Sequence, residues 1–151
     1  MLLFAANNGS HGYELWKSDG TTDGTVLVKD IRVGSNNSWP RDLTNVNGTL
    51  YFSAYNDTNG HELWKSDGTA TGTVLVKDIF AGIGGSAPSN FTNFNGTLYF
   101  RANNYANGLE LWKSDGTAAG TVLVKDINPG SGASGPSEWT NVNGTVFFSC
   151  A

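Results

Sequence analysis

Cysteine is nearly absent from this 151-residue sequence: Cys150 stands alone, one residue from the end. No intramolecular disulfide can form, and with only two histidines no Cys/His metal cluster can be assembled. Charge is sparse too, at 15% of residues against the roughly 25% of ordinary domains. Nine basic residues face thirteen acidic ones, spread evenly, which excludes the basic stripe a nucleic-acid binder needs. Long apolar runs are missing as well. The longest, Leu2–Ala6, is strand-sized, whereas a membrane-spanning helix needs about 20 residues, so no helical membrane insertion is expected. The same segment has neither the basic n-region nor the long apolar h-region of a secretory signal.

What is present is repetition. Trp16, Trp64 and Trp112 stand 48 residues apart, each inside ELWKSDGT and each followed by GTVLVKDI. The chain is one repeat domain, 1–151, of three units (1–48, 49–96 and 97–144) plus a segment, 145–151, that aligns with residues 1–7. A 38% hydrophobic share is enough for a core.

Within a unit the apolar residues alternate or form short β-rich bursts between Gly, Asn and Asp, with no lasting 3.6-residue period. Four strands per unit are predicted, in the third as Phe91–Asn95, Leu98–Ala102, Leu109–Ser114 and Val122–Ile127, here called strands A to D. Asn95-Gly96 between A and B suits a type I′ turn, whose two central residues need positive φ. The B–C and C–D connections are short and contain Gly, so the unit reads as an up-and-down antiparallel sheet. Radial repetition of such sheets makes a β-propeller, with the longer D–A connections leading from rim to centre. The alternatives are a β-sandwich, which does not explain the strict register, and an open array of blades.

The run ELWKSDGT-x-x-GT, at Glu14–Thr25, Glu62–Thr73 and Glu110–Thr121, with its flanking NGT-(L/V)-(Y/F)-F segments, resembles the ELWxxDGT repeat family of bacterial proteins. The resemblance covers essentially the whole chain. It implies an exported, extracellular or cell-surface repeat protein with no agreed activity. The C–D turn also looks like the Asp-box hairpin of sialidase-type propellers, where the Asp holds a turn together.

No candidate catalytic set emerges. Asp19, Asp67 and Asp115 supply one recurring carboxylate each, whereas calcium needs six to eight oxygens; an Asp before Gly-Thr accepts N–H bonds within its own turn. Glu14, Glu62 and Glu110 are one position repeated, not the asymmetric acid pair of a glycosidase. His11 and His61 lie in B–C loops with no Ser/His/Asp order around them. A sialidase-like hydrolase is therefore the weakest reading, and neither metal nor cofactor is expected. Trp16, Trp64, Trp112 and Trp139 read as core aromatics. The Asn-Gly-Thr sequons at Asn47, Asn95 and Asn143 follow from turn chemistry.

Trp39 is different, because it aligns with Ala87 and Gly135 and the repeat does not demand it. With Asn36, Asn37 and Arg41 beside it, and His11 and His61 in nearby loops, it is the candidate contact for a sugar ring or a protein. The D–A and B–C connections vary among units while the A–B and C–D turns hardly do, which marks the variable end as the recognition surface. The expected function is a non-enzymatic, multivalent module binding carbohydrate or another cell-surface ligand. The alternative is a structural, self-assembling surface repeat. Three units fall short of the four or more blades of a closed propeller, so the expected partner is a second copy, giving six blades, with a filament as the open-ended outcome. Strand B occurs once too often, and the C-terminal copy, tied to its A strand by Asn143-Gly144, is expected to be the one used.

Overall fold

The computed structural model describes residues 1–150, all-β and without a helix among them. Antiparallel sheets follow one another along the chain. The first holds β1 (Leu2–Asn7), β2 (Tyr13–Ser18) and β3 (Val26–Lys29). The second holds β4 (Arg41–Val46), β5 (Thr49–Asn56), β6 (Gly60–Ser66) and β7 (Val74–Lys77). The third repeats it with β8 (Ser89–Phe94), β9 (Thr97–Asn104), β10 (Gly108–Ser114) and β11 (Val122–Lys125), and β12 (Ser137–Val142) and β13 (Thr145–Ser149) form a hairpin. Every strand pairs with its neighbour in sequence, so each complete sheet is an up-and-down meander.

The turns obey their residues. Asn47-Gly48, Asn95-Gly96 and Asn143-Gly144 all carry positive φ at both positions, as a type I′ turn requires. Strand B runs to Asn104, beyond the expected Ala102, while strand D stops at Lys125 instead of Ile127. The early stop has a cause: the Ile127 amide is donated to the Glu110 carboxylate and not to the ladder. Strand A carries a bulge with Asp42, Asn90 or Glu138 at positive φ, a left-handed geometry that Asn and Asp tolerate best.

Successive sheets pack through two equivalent joints. Between the first and second sheets, Leu15, Val28 and Ile31 meet Phe52, Ala54 and Trp64. Between the second and third, Leu63, Val76 and Ile79 meet Phe100, Ala102 and Trp112. Each set is the other moved by one 48-residue unit. Lysines stitch both joints: Lys17 Nζ donates to Gly68 O at 3.0 Å and Lys65 Nζ to Gly116 O at 2.8 Å. Lys29 and Lys77 likewise reach Thr73 O and Thr121 O, both at 2.8 Å. The first strands of successive sheets, β4, β8 and β12, approach one another. Trp16 departs from expectation: Trp64 and Trp112 are buried, but Trp16 is only partly covered, because no sheet precedes the first among the described residues.

Candidate functional site

The repeated carboxylates are internal clamps. Glu14, Glu62 and Glu110 are fully buried on the C strands. Glu62 accepts hydrogen bonds from the amides of Ile79 (3.1 Å), Phe80 (2.9 Å) and Ser86 (2.9 Å) and from the Ser86 hydroxyl (2.6 Å). Glu14 takes the equivalent donors from Ile31, Arg32 and Ser38, and Glu110 from Ile127, Asn128 and Ser134. The D–A connection is thereby fastened to strand C. Burial pushes the Glu14 and Glu62 carboxyls above the usual carboxylate range, and the surrounding donors hold that rise back. Sequence reasoning missed this clamp, although the Glu and Ser recur together, 24 residues apart, in every unit.

The Asp residues close their own turns. Asp19 Oδ1 accepts from the Thr21 amide at 2.9 Å and its hydroxyl at 2.7 Å, and Asp67 and Asp115 do the same with Thr69 and Thr117. These bonds, the hydroxyl first, hold all three carboxyls below their usual value of 3.8. Gly24, Gly72 and Gly120 lie against these carboxylates so closely that a Cβ would collide. Among the described residues no group of three or more His, Cys, Asp or Glu is placed to hold a metal ion.

At the opposite end of the sheets, the D–A connection folds over the start of strand C. Ser38 and Trp39 donate their amides to Tyr13 O, and Asn37 Oδ1 accepts from the Tyr13 amide at 2.8 Å. Asn36 is exposed, with its carbonyl pressed so tightly on Gly12 that no Cβ would fit there. On this base Trp39 lies flat against Tyr13, ring centroids 4.7 Å apart and planes 15° off parallel, and remains 42% exposed. The Arg41 guanidinium stands 6.0 Å from the Trp39 ring.

Trp39 sits at φ 51°, in the left-handed region, as do its equivalents Ala87 and Gly135. For a bulky residue this conformation is strained, costing about 1–3 kcal/mol. The largest side chain therefore stands where the backbone favours the smallest.

Of the sequence-predicted site residues, Trp39 and Asn37 meet Tyr13, which the sequence reading did not single out, and Arg41 joins them through the Trp39 ring. Tyr13 aligns with His61 and Leu109, so only the first unit has aromatics at both places. His11 bonds to Asn8 within the β1–β2 loop. His61, on β6, packs edge-on to Tyr55, and burial together with the nearby Arg41 charge lowers its pKa. Neither histidine contacts Trp39 through a ring or hydrogen bond among the described residues. A second aromatic pair at the same end, Phe80 with Tyr105 (centroids 6.1 Å), borders a cleft between the second and third sheets, and Tyr105 is 86% exposed. At the equivalent place in the preceding joint, Arg32 pairs with Asp57 at 2.7 Å and lies over Tyr55.

The chemistry on offer is a half-exposed indole stacked on a phenol, with a guanidinium over the indole ring. Such a surface can stack on the C–H face of a ring while Arg41 donates to hydroxyl or carbonyl oxygens. Compared with protein-family models, curated proteins and solved structures, the chain finds no match.

Proposed function

We propose that this chain is a non-enzymatic scaffold of the ELWxxDGT repeat type, whose sheets are blades of a β-propeller and whose loop end binds carbohydrate or another cell-surface ligand outside the cell. The blade reading is supported by the four-stranded meanders, the equivalent joints and the approach of β4, β8 and β12. A closed ring needs a second copy, six blades in all.

One observation carries the binding reading. A half-exposed Trp39 is held in a strained backbone conformation that its sister units fill with Ala87 and Gly135. All three units share this backbone and donate the same amide to strand C. What sets the first unit apart is the exposed aromatic placed there, and an exposed aromatic with no folding role shared by the other units is the mark of a contact residue. The pair Trp39–Tyr13 occurs once per chain, so multivalency comes from assembly rather than from the three units of one chain.

The test is a glycan array followed by titration of any hit through tryptophan fluorescence, comparing the natural chain with Trp39→Gly. Binding is expected to fall at least ten-fold in Trp39→Gly while thermal stability stays level or rises. Undiminished binding by the variant, or an array silent throughout, would sink the reading. The second reading, a self-assembling surface repeat without a small ligand, is favoured by the uncovered end faces and predicts such silence.

A further inference from the structure

The internal joints define what each face of a sheet is built to meet. On the outgoing face, Val28 and Val76 are 6% and 7% exposed, and four lysines are engaged on carbonyls of the next sheet. On the incoming face, Gly68, Gly116, Thr73, Thr121, Trp64 and Trp112 are buried. The third sheet carries the same outgoing face open toward its rim: Leu111 is 5% exposed, but Val124 is 44% exposed, and Lys113 and Lys125 are exposed with no side-chain hydrogen bond among the described residues. The first sheet carries the same incoming face uncovered, with Gly20 and Thr25 exposed and Trp16 partly so.

We infer that a second copy of this chain seats its first sheet on the third sheet of this one, with the hairpin β12–β13 completing the partner's sheet in place of the partner's β1. This rests on the propeller reading. The occupant is a second copy because the two bare faces are the two halves of a joint the chain already makes twice, and docking continues that joint. Lys113 and Lys125 then donate to the carbonyls of the partner subunit's Gly20 and the partner subunit's Thr25. At the rim, where one joint holds Arg32 with Asp57 and the next Phe80 with Tyr105, the new joint holds Asn128 opposite the partner subunit's Gly9, which brings neither like charges nor bulk together.

The strand exchange follows from the redundancy of β1 and β13. Among the described residues no strand pairs with the outer edge of β1, while β12 and β13 are an A–B hairpin without C and D. β13, Thr-Val-Phe-Phe-Ser, matches the internal Thr49-Leu50-Tyr51-Phe52-Ser53 more closely than does Met1-Leu2-Leu3-Phe4-Ala5. In the complete joint the Tyr51 hydroxyl lies against Gly116, whereas at Gly68 the place is filled by the Met1 side chain. Phe147 aligns with Tyr51 and is 57% exposed. In the exchanged pair it covers the partner subunit's Gly68 and releases Met1. Performed by both copies about a two-fold axis, the exchange closes six sheets without a free joint, an isologous outcome that stops growth.

The experiment uses the intact chain, chains lacking residues 2–6, residues 145–151 or both, and Val124→Asp, with mass read by light scattering and amide protection by hydrogen exchange. Expected are a dimer for the intact chain and for each single deletion, because either copy of strand B can fill the place, and a monomer for the double deletion. In the intact dimer, amides of Val146–Ser149 exchange slowly and those of Leu2–Ala6 fast. Val124→Asp, checked for retained β structure by circular dichroism, weakens dimerisation at least ten-fold. A monomeric intact chain, an open ladder of larger species, loss of the dimer on either single deletion, or protection of β1 instead of β13 would overturn the inference. A monomer that still bound sugar through Trp39 would do so while leaving the binding reading intact.

Discussion

The joint between the second and third sheets and the faces at the two ends of the chain repeat the same valines, threonines and lysines, and what separates these is whether another sheet lies against them. Val76 is buried and Val124 is not; Thr73 is sealed and Thr25 is open; Lys65 has its carbonyl and Lys113 does not. In a repeat protein of this kind, burial is a property of the neighbour as much as of the residue, and stability is shared between units and the interfaces between them.

That comparison is broken most severely at a clamp inside a complete unit. Glu62→Ala leaves the buried Ser86 amide and hydroxyl and the partly buried amides of Ile79 and Phe80 without their acceptor; at about 1 kcal/mol for each, a loss of roughly 3–4 kcal/mol is expected in denaturant unfolding. The lysines sharpen it at smaller scale. Lys65→Met should cost about 1.5 kcal/mol, the lower end for a hydrogen bond from a charged donor, whereas Lys113→Met should leave the unfolding of the monomer within about 0.5 kcal/mol and act on assembly alone.

The smallest effect concerns the Asp turns and pH. Asp67 and Asp115 are lowered by their Thr partners and, further down, by Lys17 and Lys65 across the joint, while Asp19 has no lysine in that role. A depressed carboxyl contributes stability above its usual value of 3.8 and loses it as pH falls through the lowered one. Asp67→Asn should therefore be less stable than the natural chain at neutral pH, with the difference vanishing in acid. Glu14 and Glu62 run the other way: their contribution is complete below their usual value of 4.5 and is lost as pH rises through the raised one. Unfolding midpoints collected across the acid range for the natural chain, Asp67→Asn and Glu62→Gln separate the two slopes.

Much of the architecture was legible because local chemistry leaves few choices. Asn-Gly fixes the A–B hairpins, the Asp-Gly-Thr run fixes the C–D turn, and alternation around Leu-Trp divides strand C between two faces. The positive φ at Asp42, Asn90 and Glu138 was not legible, since it answers to a bulge between strands and not to a turn motif. Nor was the clamp of Glu62 on Ser86, because its donors come from two segments that meet only after the sheet has formed. At the candidate site the alignment of Trp39 with Ala87 and Gly135 was informative from the start. Its support by Tyr13 depends on how the D–A connection crosses strand C, which spacing alone does not encode.

The central claim is that the bare faces are halves of the internal joint, and sedimentation equilibrium of the intact chain over a wide concentration range tests it most directly. A single species at twice the chain mass, unchanged as concentration rises above its dissociation constant, is the predicted result. A chain that stays at its monomer mass, or one whose mass keeps climbing, would contradict it.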